Sequence, residues 1–245
     1  MKRKLSGILI ISGAVLLLVA GGLYTYNRIY DYQAGIRAQT LLDQMMATVG
    51  WDLPPLEEMV YRPAPVANEP DLDLSVDDNE ETSAEPLRPQ MDIDLDVETL
   101  EYGGTYITFT APASNWSAPT YTTIGVLSIP KLNVRLPVIG ECSDALLNIS
   151  CCRISGLAED KPNRLVISGH NIWSHFKGLD TIKIGDQIAF TTVNGETYYY
   201  QAIEFVDLHK TEGADVLATV GWDITLITCK TNNTYRTVVR FAEIT

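Results

Sequence analysis

The stretch Thr225-Leu226-Ile227-Thr228-Cys229, followed seven residues later by Arg236, decides how the rest of this chain is interpreted. Cys229 ends a short apolar run of β-type composition, and Arg236 opens a second such run after a few polar residues. This pattern predicts a strand, a short turn and a second strand. It places a thiol and a guanidinium within one site. A cysteine taken alone is more often a buried packing residue, so Cys229 needs support from elsewhere in the chain.

Charge and hydropathy divide the 245 residues into three parts. Three basic residues at positions 2–4 precede the almost unbroken apolar run Leu5–Leu23. Residues 52–101 carry 16 acidic residues against only Arg62 and Arg88, so the net charge of −13 belongs to this segment. The remainder of the chain is close to neutral. Because no basic patch or stripe occurs, the composition gives no support to nucleic-acid binding.

Residues 1–26 are predicted to form a basic tip and a transmembrane anchor. The 19 residues of the apolar run would span about 28 Å as a helix, close to the hydrocarbon thickness of a bilayer. The basic residues before the run predict a cytoplasmic N-terminus and an extracellular remainder, hence a single-pass protein of the cell membrane. A cleaved signal peptide is the alternative, although Leu18-Val19-Ala20 is a poor cleavage site.

Residues 27–103 are predicted to be a juxtamembrane segment and a linker. Residues 27–50 are expected to continue the helix, although their apolar spacing is only partly helical. Residues 51–101 are rich in proline and acid, which favours a solvated, disordered spacer. The alternative is a segment that covers an active-site groove as a lid or binds a partner.

Residues 104–245 are predicted to form an all-β domain with few, short helices. Asn194-Gly195 is a hairpin signal, and the recurring short runs indicate an antiparallel barrel or sandwich. Residues 143–150 are expected to form a short helix with Ser143 or Asp144 near its N-cap. The predicted strands are Tyr106–Thr110, Thr123–Ile129, Leu132–Ile139, Arg164–Ser168, Gln187–Val193, Thr197–Asp207, Asp223–Thr228 and Arg236–Ile244.

The other three cysteines, Cys142, Cys151 and Cys152, form no CxxC pair, which argues against a zinc ribbon or a thioredoxin-type motif. An extracellular chain could join Cys142 to Cys151 or to Cys152. A bond between the adjacent Cys151 and Cys152 would be strained.

Of the three histidines, His170 lies where an apolar strand closes on Gly169. His170, Cys229 and Arg236 therefore all flank strands of one predicted domain. A thiolate is a nucleophile, a histidine can move a proton to or from an amine, and an arginine can hold a developing oxyanion. Together these groups suit acyl transfer through a thioester, which needs no metal or cofactor.

Several stretches resemble the sortase family of Gram-positive surface transpeptidases. The likeness covers about residues 121–245, half the chain, and departs from the family pattern at Gly156–Asn163 and at the Cys151-Cys152 pair. The matching stretches are Thr225–Cys229 as the TLxTC motif, Arg236, Ile167–His170, Gly125–Val134, Leu136–Val138 and Leu179–Asp186.

The resemblance implies an eight-stranded β-barrel of a compact class D or A-like enzyme. Cys229 would cleave an LPXTG-like sorting signal of a surface protein or pilin between Thr and Gly. An amine of a cell-wall precursor or of a pilin would then release the thioacyl-enzyme. His170 would be the acid and base, Arg236 would hold the substrate and oxyanion, and Thr228 would position the substrate. The alternative is a non-catalytic, membrane-anchored barrel that binds a cell-wall or pilus partner.

Overall fold

The computed structural model describes residues 2–61, 107–110, 120–158, 161–217, 221–231 and 233–244. Its helices are α1 (Lys2–Val49), α2 (Asp144–Leu147) and α3 (Gly213–Leu217). Its strands are β1 (Ile107–Thr110), β2 (Thr120–Ile129), β3 (Val134–Ile139), β4 (Cys151–Leu157), β5 (Asn163–Ser168), β6 (Gln187–Thr192), β7 (Thr197–His209), β8 (Ile224–Cys229) and β9 (Tyr235–Glu243). Single turns of 3₁₀-helix cover Leu56–Glu58, Pro130–Leu132 and Leu179–Thr181.

Eight of these strands close into a barrel in the order β2-β3-β4-β5-β8-β9-β7-β6, because β6 also pairs with β2. Strand β1 pairs with the beginning of β2 outside this ring. The predicted eight-stranded barrel is therefore confirmed, with one strand added at its rim. Large apolar side chains from all sides fill the interior, among them Leu127, Phe190 and Phe241, each fully buried.

Strand β2 pairs with β1 up to Thr123 and with β6 from Gly125 onwards. Its register with β3 shifts at the same point. Gly125 has a φ of 152°, and a Cβ atom there would lie 2.5 Å from the Thr191 carbonyl oxygen and 2.6 Å from the Phe190 ring. No other residue fits without displacing the core, so this glycine allows β2 to bend and close the barrel.

Two strand pairs differ from the predicted antiparallel arrangement, because β3 pairs with β4 and β5 pairs with β8 in parallel. Strand β4 was also absent from the predicted strands. Register shifts at Arg153/Ser155 and Ser155/Leu157 interrupt its alternation of polar and apolar residues, which removes the usual signature of a strand.

Two local predictions are confirmed. Asn194-Gly195 forms the turn between β6 and β7, and Gly195 has the positive φ of 86° that favours glycine. Helix α2 begins as expected, with the Ser143 hydroxyl accepting a hydrogen bond from the Leu146 amide at 3.2 Å.

The C-terminal half of α1 packs against the barrel. Ala34, Ala38, Leu41, Leu42 and Met45 recur at helical spacing and are buried. Leu41 and Met45 belong to a cluster with residues of β2, β3, α2 and β4 and of the turn after β6. The expected helical continuation over residues 27–50 is confirmed to Val49, and this helix is an integral layer of the domain.

No helix among the described residues is long and apolar enough to cross a membrane. The first ten residues of the predicted anchor lie outside the residues whose side chains are described.

Residues 51–61, interpreted from the sequence as the start of a spacer, run along the barrel surface instead. Met59 is buried, the Tyr61 amide donates to Gln187 Oε1 at 2.8 Å, and the Pro54 carbonyl accepts from Arg135. Apolar side chains within the acidic composition explain the difference, since Trp51 and Leu53 pack on the α1–barrel cluster. The rest of the predicted linker, from residue 62 to residue 103, lies outside the described residues.

Candidate active site

The site lies where β5 and β8 end side by side. Ser168 is the register partner of Ile227 in this parallel pair, and the Gly169 amide donates to the Ile227 carbonyl at 3.1 Å. Since parallel strands end at the same edge, His170 and Cys229 emerge together, each two residues beyond the last pair. Both line one groove of about 640 Å³.

Thr228 joins the two strand ends through its side chain. Its hydroxyl donates to the Gly169 carbonyl at 2.8 Å, and its side chain is buried. This bond fixes the backbone that leads directly into His170. The predicted contact of Thr228 with a substrate stays a prediction, since the hydroxyl is engaged with Gly169.

Arg236 lies directly across the antiparallel β8–β9 pair from Cys229. Its Nη1 donates to the carbonyls of Asn233 and Tyr235, both at 3.2 Å, so the guanidinium is bound to the turn before β9. Cys229 itself is half-buried at the end of β8. The structure therefore brings His170 and Cys229 into one groove and places Arg236 beside Cys229 on the neighbouring strand, where it is not among the residues that line that groove.

The imidazole of His170 is partly withdrawn from water. Burial lowers its pKa below the ordinary histidine value, and the Asp144 carboxylate at the start of α2 partly opposes that shift. Its Nε2 is buried and has no hydrogen-bond partner among the described residues. Lowering the pKa favours the neutral imidazole, which can accept a proton.

A second histidine, His175, lies beside His170 in the same loop. The two ring centroids are 6.2 Å apart and the ring planes are within 5° of parallel. His175 is fully buried, and burial lowers its pKa to about 4, so it is neutral at physiological pH. The sequence offered only its spacing of five residues from His170, which by itself is a weak signal for a role at the site.

Helix α1 forms the opposite wall of the groove, where Tyr24, Asn27 and Arg28 line it. The Asp31 carboxylate accepts hydrogen bonds from the backbone amides of Trp173 at 3.3 Å and Ser174 at 3.0 Å. Sequence reasoning missed this wall because the contacts join residues more than 140 positions apart. No local pattern could have indicated them.

The remaining thiols lie near α2, away from Cys229. Cys151 and Cys152 are buried at the start of β4, and burial raises the pKa of Cys151 to about 12. Cys142 is exposed, and its thiol lies close enough to the Cys152 thiol for the two to influence each other's pKa. Burial raises the pKa of both thiols. Of the two predicted disulfide pairings, this proximity favours the one between Cys142 and Cys152.

Comparison with known proteins identifies the barrel. Residues 127–244 match the family model of the sortase domain. Similar solved structures include sortase A from Corynebacterium diphtheriae, at 26% identity over 50% of this chain and 61% of that protein, with a TM-score of 0.44. A pilus-related sortase C of Group B Streptococcus is 28% identical over 50% of this chain and 68% of that one, with a TM-score of 0.45. Sortase C1 from Streptococcus suis is 29% identical over 50% and 73%, with a TM-score of 0.45.

The chain thus spans less than two thirds of the Corynebacterium sortase A structure. No curated protein matches it. The family match begins within β2 and ends beyond β9, so it covers the closed barrel and both strand ends that carry His170 and Cys229. By this match, residues 127–244 form a domain of the sortase family.

Proposed function

We propose that this protein is a cysteine transpeptidase that joins a sorting-signal protein to an amine. The observation that carries the proposal is the parallel β5–β8 pair, which brings His170 and Cys229 to the same edge of the barrel. The β8–β9 pairing adds Arg236 opposite the thiol. The match of residues 127–244 to the sortase domain supports an LPXTG-like peptide as the donor.

In the first half-reaction the Cys229 sulfur attacks the carbonyl carbon of the substrate threonine. The Thr–Gly bond breaks, His170 takes the thiol proton of Cys229 and gives it to the departing glycine amine, and a thioester remains on Cys229. Arg236 donates to the oxyanion of the tetrahedral intermediate once its guanidinium has left the carbonyls of Asn233 and Tyr235. Burial lowers the pKa of His170, which favours the neutral imidazole that can accept the thiol proton.

In the second half-reaction an amine attacks the thioester. The new amide bond forms, and His170 takes the proton from the incoming nitrogen and returns it to the departing Cys229 sulfur. The acceptor we propose is an amine of a cell-wall precursor or of a pilin, and the donor is a surface protein or pilin carrying the sorting signal. No cofactor takes part in either step.

The proposed location is the cell membrane, with the barrel on the outer side. The support is the apolar run Leu5–Leu23 with basic residues before it. Fractionation of cells that express the full chain tests this location. Recovery in the membrane fraction after a carbonate wash is expected, and release by that wash would refute it.

Trapping of the acyl-enzyme tests the chemistry. The full-length chain is incubated with an LPXTG-type peptide library, with glycine or diaminopimelate as the amine, and intact mass spectrometry follows the adduct. We expect a thioester on Cys229 and a new peptide–amine product, both lost in Cys229→Ala and retained in Cys142→Ala. Unchanged product in Cys229→Ala would refute the assignment.

The alternative is a non-catalytic barrel that binds a cell-wall or pilus partner. It predicts that the Cys229 thiol is no more reactive than an ordinary exposed cysteine. Alkylation of Cys229 at neutral pH is compared with that of an unstructured cysteine peptide. Faster alkylation of Cys229 that depends on His170 supports the enzyme. Equal rates, with no adduct from any donor peptide, would favour the binding protein.

A further inference from the structure

The loop that follows β5 carries His170 and folds into a helical turn. The Phe176 amide donates to the His170 carbonyl at 3.0 Å, and the His175 and Lys177 amides donate to the Ile172 carbonyl at 2.9 and 3.1 Å. The first amides of such a turn have no acceptor within it. In this loop they are the amides of Trp173 and Ser174.

Asp31 of α1 supplies the missing acceptors. Its carboxylate accepts from the Trp173 amide at 3.3 Å, from the Ser174 amide at 3.0 Å and from the Ser174 hydroxyl at 2.8 Å. An N-cap residue normally makes such bonds within its own helix. Here the acceptor comes from a different element, so the turn keeps this arrangement only while α1 is docked.

Independent contacts hold α1 in place beside the loop. Tyr30 donates to Asn148 Oδ1, and Arg37 Nε donates to the Asn148 carbonyl at 2.7 Å. Gly35 allows the close approach, because a Cβ atom there would lie 3.2 Å from the Ser174 Cβ. Asp31 therefore sits between two anchored turns of helix and is held in position.

The capped turn is packed tightly against the catalytic histidine. Phe176 lies over Gly169, where an added Cβ would be 2.7 Å from its ring. The buried His175 ring lies parallel to the His170 ring. A turn that loses its cap would move both neighbours of His170.

We propose that Asp31 is a positioning residue for His170, and that the turns of α1 around it belong to the working active site. Asp31 lies in the wall of the groove that His170 and Cys229 also line, but its carboxylate is engaged with the Trp173 and Ser174 amides. We infer that it acts through the loop from His170 to Lys177. The juxtamembrane helix is thus a part of the enzyme and not only a spacer between anchor and barrel. The expected effect on kcat rests on the proposed function. The hydrogen bonds from the loop to Asp31 do not depend on it.

The test compares three substitutions in the full-length chain. Asp31→Ala removes the acceptors, and we expect kcat to fall about ten-fold with KM changed less than about two-fold. Asp31→Asn keeps one side-chain oxygen that can accept from the Trp173 or Ser174 amide. The kcat of this variant should therefore lie between those of the wild type and Asp31→Ala. A purely electrostatic role would make the two neutral variants equally poor. Asp43→Ala is the matched control, because Asp43 is an exposed acid of α1 that accepts only from Gln39 among the described residues.

Two readouts do not depend on catalysis. Hydrogen exchange of the Trp173 and Ser174 amides should accelerate in Asp31→Ala and stay unchanged in Asp43→Ala. The NMR signal of the His170 ring should shift or broaden in Asp31→Ala and stay unchanged in Asp43→Ala.

Faster amide exchange with unaltered kcat and an unaltered His170 signal would overturn the positioning role. A rise in KM alone would overturn it as well, because that result indicates substrate binding. If the wild type transfers no peptide, the proposed function fails, while the His170 signal still decides whether Asp31 positions the ring.

Discussion

Removing the Thr228 hydroxyl should loosen the edge that holds His170 and Cys229 together. Thr228→Val preserves the shape of the side chain but removes the donor that binds the Gly169 carbonyl at 2.8 Å. Since Thr228 is 4% exposed, water cannot readily replace that donor. Losing the bond and leaving a buried carbonyl less well satisfied costs about 1–3 kcal/mol.

The same strand offers a matched control with the opposite expectation. Thr225 is 1% exposed, and its hydroxyl has no hydrogen-bond partner among the described residues. Thr225→Val removes a buried polar group that costs about 1–3 kcal/mol to desolvate, so stability should stay equal or increase. The two substitutions are chemically identical and lie three residues apart on β8.

Thermal unfolding and transpeptidation kinetics together test this reasoning. Thr228→Val should lower Tm by about 2–12 °C, whereas Thr225→Val should leave Tm equal or raise it. Thr228→Val should also lower kcat about ten-fold, because the backbone before His170 becomes less fixed. Equal changes in Tm for both variants would refute the assigned hydrogen bond, and an unchanged kcat would refute its link to His170.

Two further predictions concern groups around α2. Asp144→Asn should lower the pKa of His170, because the exposed carboxylate that favours the protonated ring is lost. NMR titration of the ring measures this, and an upward shift would contradict it. Oxidised glutathione should join Cys142 to Cys152 by two thiol–disulfide exchanges that release two glutathione thiols and lower the protein mass by about 2 Da. Mass spectrometry of unreduced peptides should show the same bond in Cys151→Ser. A Cys142–Cys151 bond in the wild type would contradict the expected pairing.

Much of the site was accessible from the sequence because its signals are local. The apolar run before Cys229, the glycine before His170 and the turn before Arg236 each identify a strand end from adjacent residues. The cap at Ser143 and the turn at Asn194-Gly195 depend on interactions within a few residues. Predictions of this kind agree with the structure because neighbouring residues determine the backbone conformation there.

The errors arose where bonds join distant segments. Strand β4 has two register shifts that mask its alternation, and its pairing with β3 is parallel. Residues 51–61 have the composition of a spacer, yet Met59 is buried and Tyr61 binds Gln187 on the barrel. In both cases the energy of packing outweighs the local preference.

The residue types at the strand ends, the β-rich composition of the domain and its resemblance to the sortase domain all follow from the sequence alone. Only the tertiary structure decided that β5 and β8 run in parallel, which brings His170 beside Cys229. It also decided that α1 docks on the barrel and that Asp31 caps the histidine loop. The reason is physical: propensity and turn chemistry act between neighbours, whereas strand order and helix docking depend on burial and hydrogen bonds that the complete fold creates.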